Sequence, residues 1–183
     1  MLYIRKYQPS REVADEISCV RRDHKSLMGK GTPDSARKAF DSLSKSLLRA
    51  SLIVDQHGLC AYCMRRIEND TNMTIDHWQP IEMNVDGALD YKNMLGVCDG
   101  GRRIYKSASE GSRRVLCCDA SKGSRAITIN PCKREHVMKI RYSEDGRIYT
   151  YPRDEVLEKD INEILHLNGD NGIDTQTSII KGR

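Results

Sequence analysis

Residues 60–63 read Cys-Ala-Tyr-Cys, and after twelve intervening residues Asp76 stands beside His77. Two cysteines at this spacing commonly supply half of a tetrahedral zinc site, whose other two thiolates come from elsewhere in the chain. Cys98 and one of Cys117 or Cys118 can supply them. Nineteen residues separate Cys98 from Cys118. One ion tolerates that distance if the segment is an excursion whose ends return together. Cys19 and Cys132 fit ordinary buried thiols. An Asp-His pair alone is a weak signal. It gains weight here because Asn93, Asp119 and Lys122 lie between or beside the zinc-type cysteines. A neutral imidazole is a good base near pH 7. Carboxylates suit Mg²⁺ or Mn²⁺, whereas thiolates suit zinc.

The charge pattern points the same way. The formal net charge is +4, but from Gly101 to Arg141 eleven Lys or Arg stand against three Asp or Glu, a local excess of +8. A polyanion is a fitting partner for such a stretch. Arg102, Arg103, Arg113 and Arg114 are its candidates for phosphate contact, with a solvated basic loop as the plainer reading.

These groups need elements to position them. Val13, Ile17, Val20 and Leu27 follow helical spacing. Thr32 offers an N-cap and Pro33 a first helical residue for a second helix, along which Ala36, Phe40, Leu43, Leu47, Ala50 and Val54 recur. Gly58 stops that helix two residues before Cys60, so the helices deliver the chain to the cysteine knuckle. Residues 73–78 have strand character, closed by Pro80. Residues 99–116, rich in Gly, Ser and Arg, read as a loop. Residues 126–131 are a short strand candidate. Asp145-Gly146 suits the turn of a β-hairpin. Val156, Leu157, Ile161, Ile164 and Leu165 mark a last helix. This organisation divides into a helical region 1–57, a core 58–132, and a hairpin, helix and tail 133–183.

Composition bounds the class. The chain has 183 residues, 38% of them hydrophobic and 31% charged, which describes a soluble protein with a modest core. No apolar run approaches the roughly 20 residues of a membrane span. The first residues lack the apolar stretch of a secretory signal. Seven cysteines without an export signal fit the reducing cytoplasm, and their odd number argues against a complete disulfide set. His24 and His57 fall on the helices and read as surface or cap residues, and His136 and His166 lie outside the motif.

The ordered blocks CAYC, IDHWQP, LDYKNMLGVC and CCDASKG resemble the HNH nuclease superfamily, whose active site is a ββα-metal unit. The segments CDGG, CDASKG and ITINP look most like the HNH subunit of Septu-type anti-phage defence systems, also found attached to some retrons. The resemblance covers about residues 58–131 tightly and the flanking regions loosely. It implies an α+β protein with a zinc-stapled ββα-metal core, an N-terminal helical region and a C-terminal hairpin plus helix. It implies that His77 is the general base and that Asp76 and Asp119 hold a catalytic Mg²⁺ or Mn²⁺. Asn93 would brace the loop and the His77 backbone, and Lys122 would contact a phosphate. Cys118, next to Asp119, occupies the family position of the fourth zinc ligand after Cys60, Cys63 and Cys98. The third signature position, usually His or Asn, is Asp119 here, and Gly123 leaves room for only a short helix after it. The resemblance further implies a DNA or tRNA substrate and an ABC-type ATPase partner. The competing reading is a zinc-dependent nucleic-acid or protein-binding module without turnover, which needs the cysteines and the basic stretch but not Asp76, His77 and Asp119.

Overall fold

A computed structural model describes residues 1–24, 31–68, 72–102 and 116–169. The architecture is α+β, with helices around two small antiparallel sheets. Among the described residues no helix is long and apolar enough to cross a membrane.

Helix α1 (Arg11–Asp23) starts where the Ser10 side chain accepts from the Val13 amide, and it buries Val13, Ile17 and Val20 as their spacing predicts. Leu27 lies outside the described residues. Helix α2 (Pro33–Asp41) has a reciprocal cap, in which Thr32 and Ser35 each accept from the other's backbone amide.

The single long helix expected from residue 33 to Gly58 is broken. It ends at Asp41 and resumes as α3 (Lys45–Asp55). The break has a physical cause in the Ser42 hydroxyl, which competes for a helix carbonyl, and in the Ser44 amide, which Glu16 draws off. The Ser42 hydroxyl donates to the Ala39 carbonyl at 2.7 Å, and the Ser44 amide donates to the Glu16 carboxylate at 2.7 Å. Lys45 donates to the carbonyls of Phe40 and Leu43. The break shifts the helical phase, so Leu48 and Leu52 are buried whereas Val54 is 73% exposed.

Strand β1 (Met73–His77) pairs antiparallel with β2 (Met94–Cys98), in a register that sets Asp76 opposite Leu95 and His77 opposite Met94. The intervening chain closes through 3₁₀ turns at Val85–Leu89 and Tyr91–Asn93. A side chain continues this sheet. Gln56 accepts from the Gly96 amide at 2.7 Å and donates to the Gly96 carbonyl at 2.7 Å, as a neighbouring strand would. Helix α3 is thereby fixed to β2. A Cβ on Gly96 would lie 2.5 Å from the Met73 side chain.

One helical turn, α4 (Asp119–Lys122), follows Cys118, and Gly123 at φ +55° ends it. Residues 126–131 join no strand. Their backbone is satisfied by side chains instead: the Asp160 carboxylate accepts from the Thr128 and Ile129 amides, and the Trp78 indole donates to the Ile129 carbonyl. A further helical turn, α5 (Arg134–Val137), leads into the expected hairpin of β3 (Ile140–Tyr142) and β4 (Ile148–Thr150). Gly146 at φ +83° turns it. Helix α6 (Glu155–Lys159) runs into a π-helical turn (Asp160–Ile164), burying Leu157 and Ile161 while Val156 faces out.

Candidate metal centre and active-site cleft

The knuckle is a tight turn in which the Cys60 amide donates to the Arg65 carbonyl and the Met64 amide to the Cys60 carbonyl. Cys60 and Cys63 point from it toward Cys98 at the end of β2 and Cys118 at the start of α4. All four are buried, and their sulfurs lie within 4.8 Å of one another. The close pairs are Cys63–Cys98 at 3.6 Å, Cys98–Cys118 at 3.7 Å and Cys60–Cys118 at 3.9 Å. Disulfide sulfurs sit about 2.05 Å apart. A tetrahedron with Zn–S bonds of about 2.3 Å has S···S edges of about 3.8 Å. The four cysteines are thus positioned to bind a metal ion, and the spacing suits zinc.

Cys117 is buried beside this group but outside the set of four. The chain reaches the centre through two special backbone positions. Cys118 has φ +55°, and a Cβ on Gly100 would lie 2.2 Å from the Cys117 carbonyl oxygen. The thiols shift one another. A hydrogen bond from Cys118 pulls Cys63 down and Cys117 down to about 5. Donation to Cys117 pushes Cys98 and Cys118 up. A divalent cation removes this competition by stabilising every thiolate at once.

A cleft of about 460 Å³ opens beside the metal centre, and Arg37, Asp76, His77, Glu82, Arg102 and Asp119 line it. Adjacent side chains on a strand face opposite ways. Asp76 and His77 nevertheless share the cleft, because they are the last two residues of β1 and the cleft lies at that end.

The His77 ring meets the Phe40 ring edge-on at 4.6 Å, and its Nε2 lies 3.0 Å from the Ala88 carbonyl oxygen. A carbonyl can only accept, so Nε2 carries the proton and Nδ1 keeps its lone pair. Burial pushes the His77 pKa down, with the Ala88 bond opposing, so the ring is neutral near pH 7. Asn93 braces the loop between the strands. Its amide donates to the Gln79 and Gly87 carbonyls and accepts from the Gln79 amide, while its own carbonyl accepts from the Trp78 amide.

Lys122, expected from the sequence to contact a phosphate, lines the cleft and is paired internally. Its side chain is 0% exposed, and Nζ donates to Asp76 Oδ1 at 2.9 Å and to the His77 carbonyl at 2.8 Å. It is an internal counter-ion and a brace for the His77 backbone. Tyr62, from within the knuckle, donates to Asp76 Oδ2 at 2.5 Å. Nothing in the spacing of the Cys-x-x-Cys motif distinguishes this tyrosine, and the sequence reading misses it. Burial pushes the Asp76 carboxyl up to about 6, opposed by Lys122 and reinforced by Asp119.

Asp119, the first residue of α4, accepts from Arg102 at 3.0 Å, with the Thr74 hydroxyl at 3.5 Å. Arg102 therefore lies at the cleft, as its candidacy for phosphate contact requires. Arg103, Arg113 and Arg114 fall outside the described residues. Arg37 and Glu82 form an ion pair on the rim that the sequence reading also misses.

Among the described residues, the four cysteines are the only group of three or more His, Cys, Asp or Glu whose ligand atoms converge on one point. An ion in the cleft would draw on at most two of its acidic or histidine side chains. That donor set suits Mg²⁺, which commonly keeps several waters and takes one or two protein carboxylates plus substrate phosphates. The other two cysteines are not the buried thiols expected: Cys19 is exposed and Cys132 half-buried. A scan against protein-family models finds no match, and a search of curated proteins finds none.

Proposed function

We propose that this chain is a metal-dependent endonuclease of the HNH type, hydrolysing phosphodiester bonds of nucleic acid as the effector of an anti-phage defence complex. The observation that carries the reading is the shared cleft of Asp76, His77 and Asp119, in which a neutral His77 has Nε2 committed to the Ala88 carbonyl. His77 Nδ1 then takes a proton from a water molecule aligned for attack on phosphorus. Mg²⁺ or Mn²⁺ held by Asp119 and Asp76 would stabilise charge on the phosphate and on the leaving oxygen. Arg102 and Arg37 bring positive charge to the same cleft. Lys122 acts as a positioning residue through the His77 carbonyl, and Asn93 through the Trp78 and Gln79 amides that follow it. Zinc on the four thiolates holds the scaffold. DNA or tRNA is the substrate class, an ABC-type ATPase the partner, and the reducing cytoplasm the setting that suits a thiolate centre.

One observation favours a zinc-dependent binding module without turnover. Both Asp76 oxygens and one Asp119 oxygen already have protein partners. The test is Mg²⁺-dependent cleavage of plasmid DNA and of tRNA by the zinc-replete protein and its His77→Ala variant. Loss of a general base lowers the rate by about 10²- to 10⁴-fold while zinc content and fold are kept. Undiminished cleavage by His77→Ala would remove the role given to His77. Nucleic-acid binding that Asp119→Ala leaves intact, with no turnover under any metal, would favour the binding module.

A further inference from the structure

A second depression lies immediately beyond the cleft. Its volume is about 360 Å³, and Pro80 lines both it and the cleft. Small-ligand sites typically run from about 300 to 1,000 Å³. The two spaces differ in chemistry. The cleft is lined by acids and arginines, whereas no charged residue lines the groove. Trp78 and Ile127 form its apolar walls together with Met83, a large apolar side chain left 67% exposed.

The polar groups of the groove are set in place by hydrogen bonds to the backbone and to one another. Trp78 Nε1 donates to the Ile129 carbonyl at 2.9 Å, which fixes the indole and spends its only donor. A ligand therefore meets its π surface. Gln79 Oε1 accepts from the Asn84 amide, and Asn84 Oδ1 accepts from the Gly87 amide, so both amides are oriented. Gln79 Nε2 is left as a donor at the rim.

We infer that this groove takes a nucleobase flanking the scissile phosphate, stacked on Trp78 and Met83 and met at its edge by Gln79. The inference rests on the nuclease reading of the adjoining cleft. A nucleotide is an anion joined to a flat, neutral, hydrogen-bonding aromatic. A charged cleft and an uncharged apolar groove that share one proline match those two parts. Base–aromatic stacking tolerates every base, so the groove would strengthen binding without setting sequence.

Trp78 is the chain's single tryptophan, so its emission reports on the groove alone. The experiment titrates the full zinc-replete chain, in Mg²⁺-free buffer, with a short single-stranded oligonucleotide and with an abasic oligonucleotide of equal length. Binding is followed by anisotropy of an end label and by Trp78 emission. Ala126 is exposed on the groove wall, and Ala126→Phe fills the space without touching the core. The expected result is quenching by the base-bearing strand and an affinity about tenfold above that of the abasic strand. Ala126→Phe should abolish both differences and leave abasic binding unchanged. Equal affinity and equal quenching for the two strands would overturn the inference, as would an Ala126→Phe variant that binds and quenches like wild type. Those outcomes leave the nuclease reading standing. Absence of binding by either strand would count against that reading as well, and would turn attention to a peptide as the groove's occupant.

Discussion

Replacing Lys122 tests the internal ion pair directly. In Lys122→Met the Asp76 carboxylate, with its side chain 5% exposed, loses its counter-ion, and the His77 carbonyl loses a donor. Breaking a buried pair by removing one partner costs about 3–5 kcal/mol, and an orphaned buried acceptor costs about 1–3 kcal/mol. Asp76 can escape part of this by protonating, since its folded pKa is already about 6 and rises further without the ammonium. The net expectation near neutral pH is about 3–5 kcal/mol. The sign with pH follows from the raised folded pKa. The folded chain holds this proton more tightly than the unfolded one, so stability is lost as pH rises from the ordinary carboxyl value through about 6. Removing the ammonium extends that window upward, so the penalty grows between pH 5.5 and 8. Adding Asp76→Asn to Lys122→Met should recover about 2 kcal/mol or more, a coupling expected of groups in contact. Urea unfolding of zinc-replete protein measures all four corners of the cycle. A penalty below about 1 kcal/mol at pH 8, or strict additivity, would refute the buried pairing. The phosphate-contact reading of Lys122 predicts a different result: near-normal stability and a salt slope of nucleic-acid binding reduced by about one.

Two further predictions concern the scaffold. Cys118→Ser should release the metal and unfold the core, whereas Cys117→Ser should keep one equivalent of zinc, as read by zinc release during thiol titration; full zinc retention by Cys118→Ser with loss in Cys117→Ser would reverse the ligand assignment. Burial pushes the Lys6 amine down to about 8, with Asp55 opposing, and the side chain is only 7% exposed. The unfolded chain therefore binds more protons between pH 8 and the ordinary lysine value, and folded stability rises with pH across that window by up to about 3 kcal/mol. Equal pH slopes for wild type and Lys6→Met would contradict the buried amine.

The legible parts of this fold are those set by local chemistry. Thr32-Pro33 announces a capped helix start because both residues act on the first turn alone. Asp145-Gly146 marks its turn for the same reason. The cysteine cluster is legible because ligand type and the Cys-x-x-Cys spacing are local; Cys60, Cys63 and Cys98 meet as the pattern suggests, and the fold settles the choice the pattern left open, Cys118 over Cys117. What the sequence hides is decided by distant partners. The break at Ser42–Ser44 depends on Glu16, and the failure of residues 126–131 to form a strand depends on Asp160. Lys122 looks like any basic residue of a cationic stretch until the fold sets it against Asp76. Gln56 imitates a strand only because α3 ends beside Gly96.

The metal centre and the cleft are mechanically one object. The four thiols come from three separate places: the knuckle, the end of β2 and the start of α4. Helix α4 is a single turn, and such a turn has no stability of its own, because nucleating a helix fixes several residues for one hydrogen bond. Its orientation comes from Cys118 at one end, from the Lys122 contacts at the other, and from the Cys118 amide and Ser121 hydroxyl, which donate to the Leu165 and Ile164 carbonyls. Asp119 and Lys122 are both on that turn, while Asp76 and His77 are both on β1. Whatever holds Cys118 to Cys98 therefore also sets the distance between the two carboxylates. An ion held by thiolates from the knuckle, β2 and α4 would therefore stiffen the cleft, although none of its four ligands lines it.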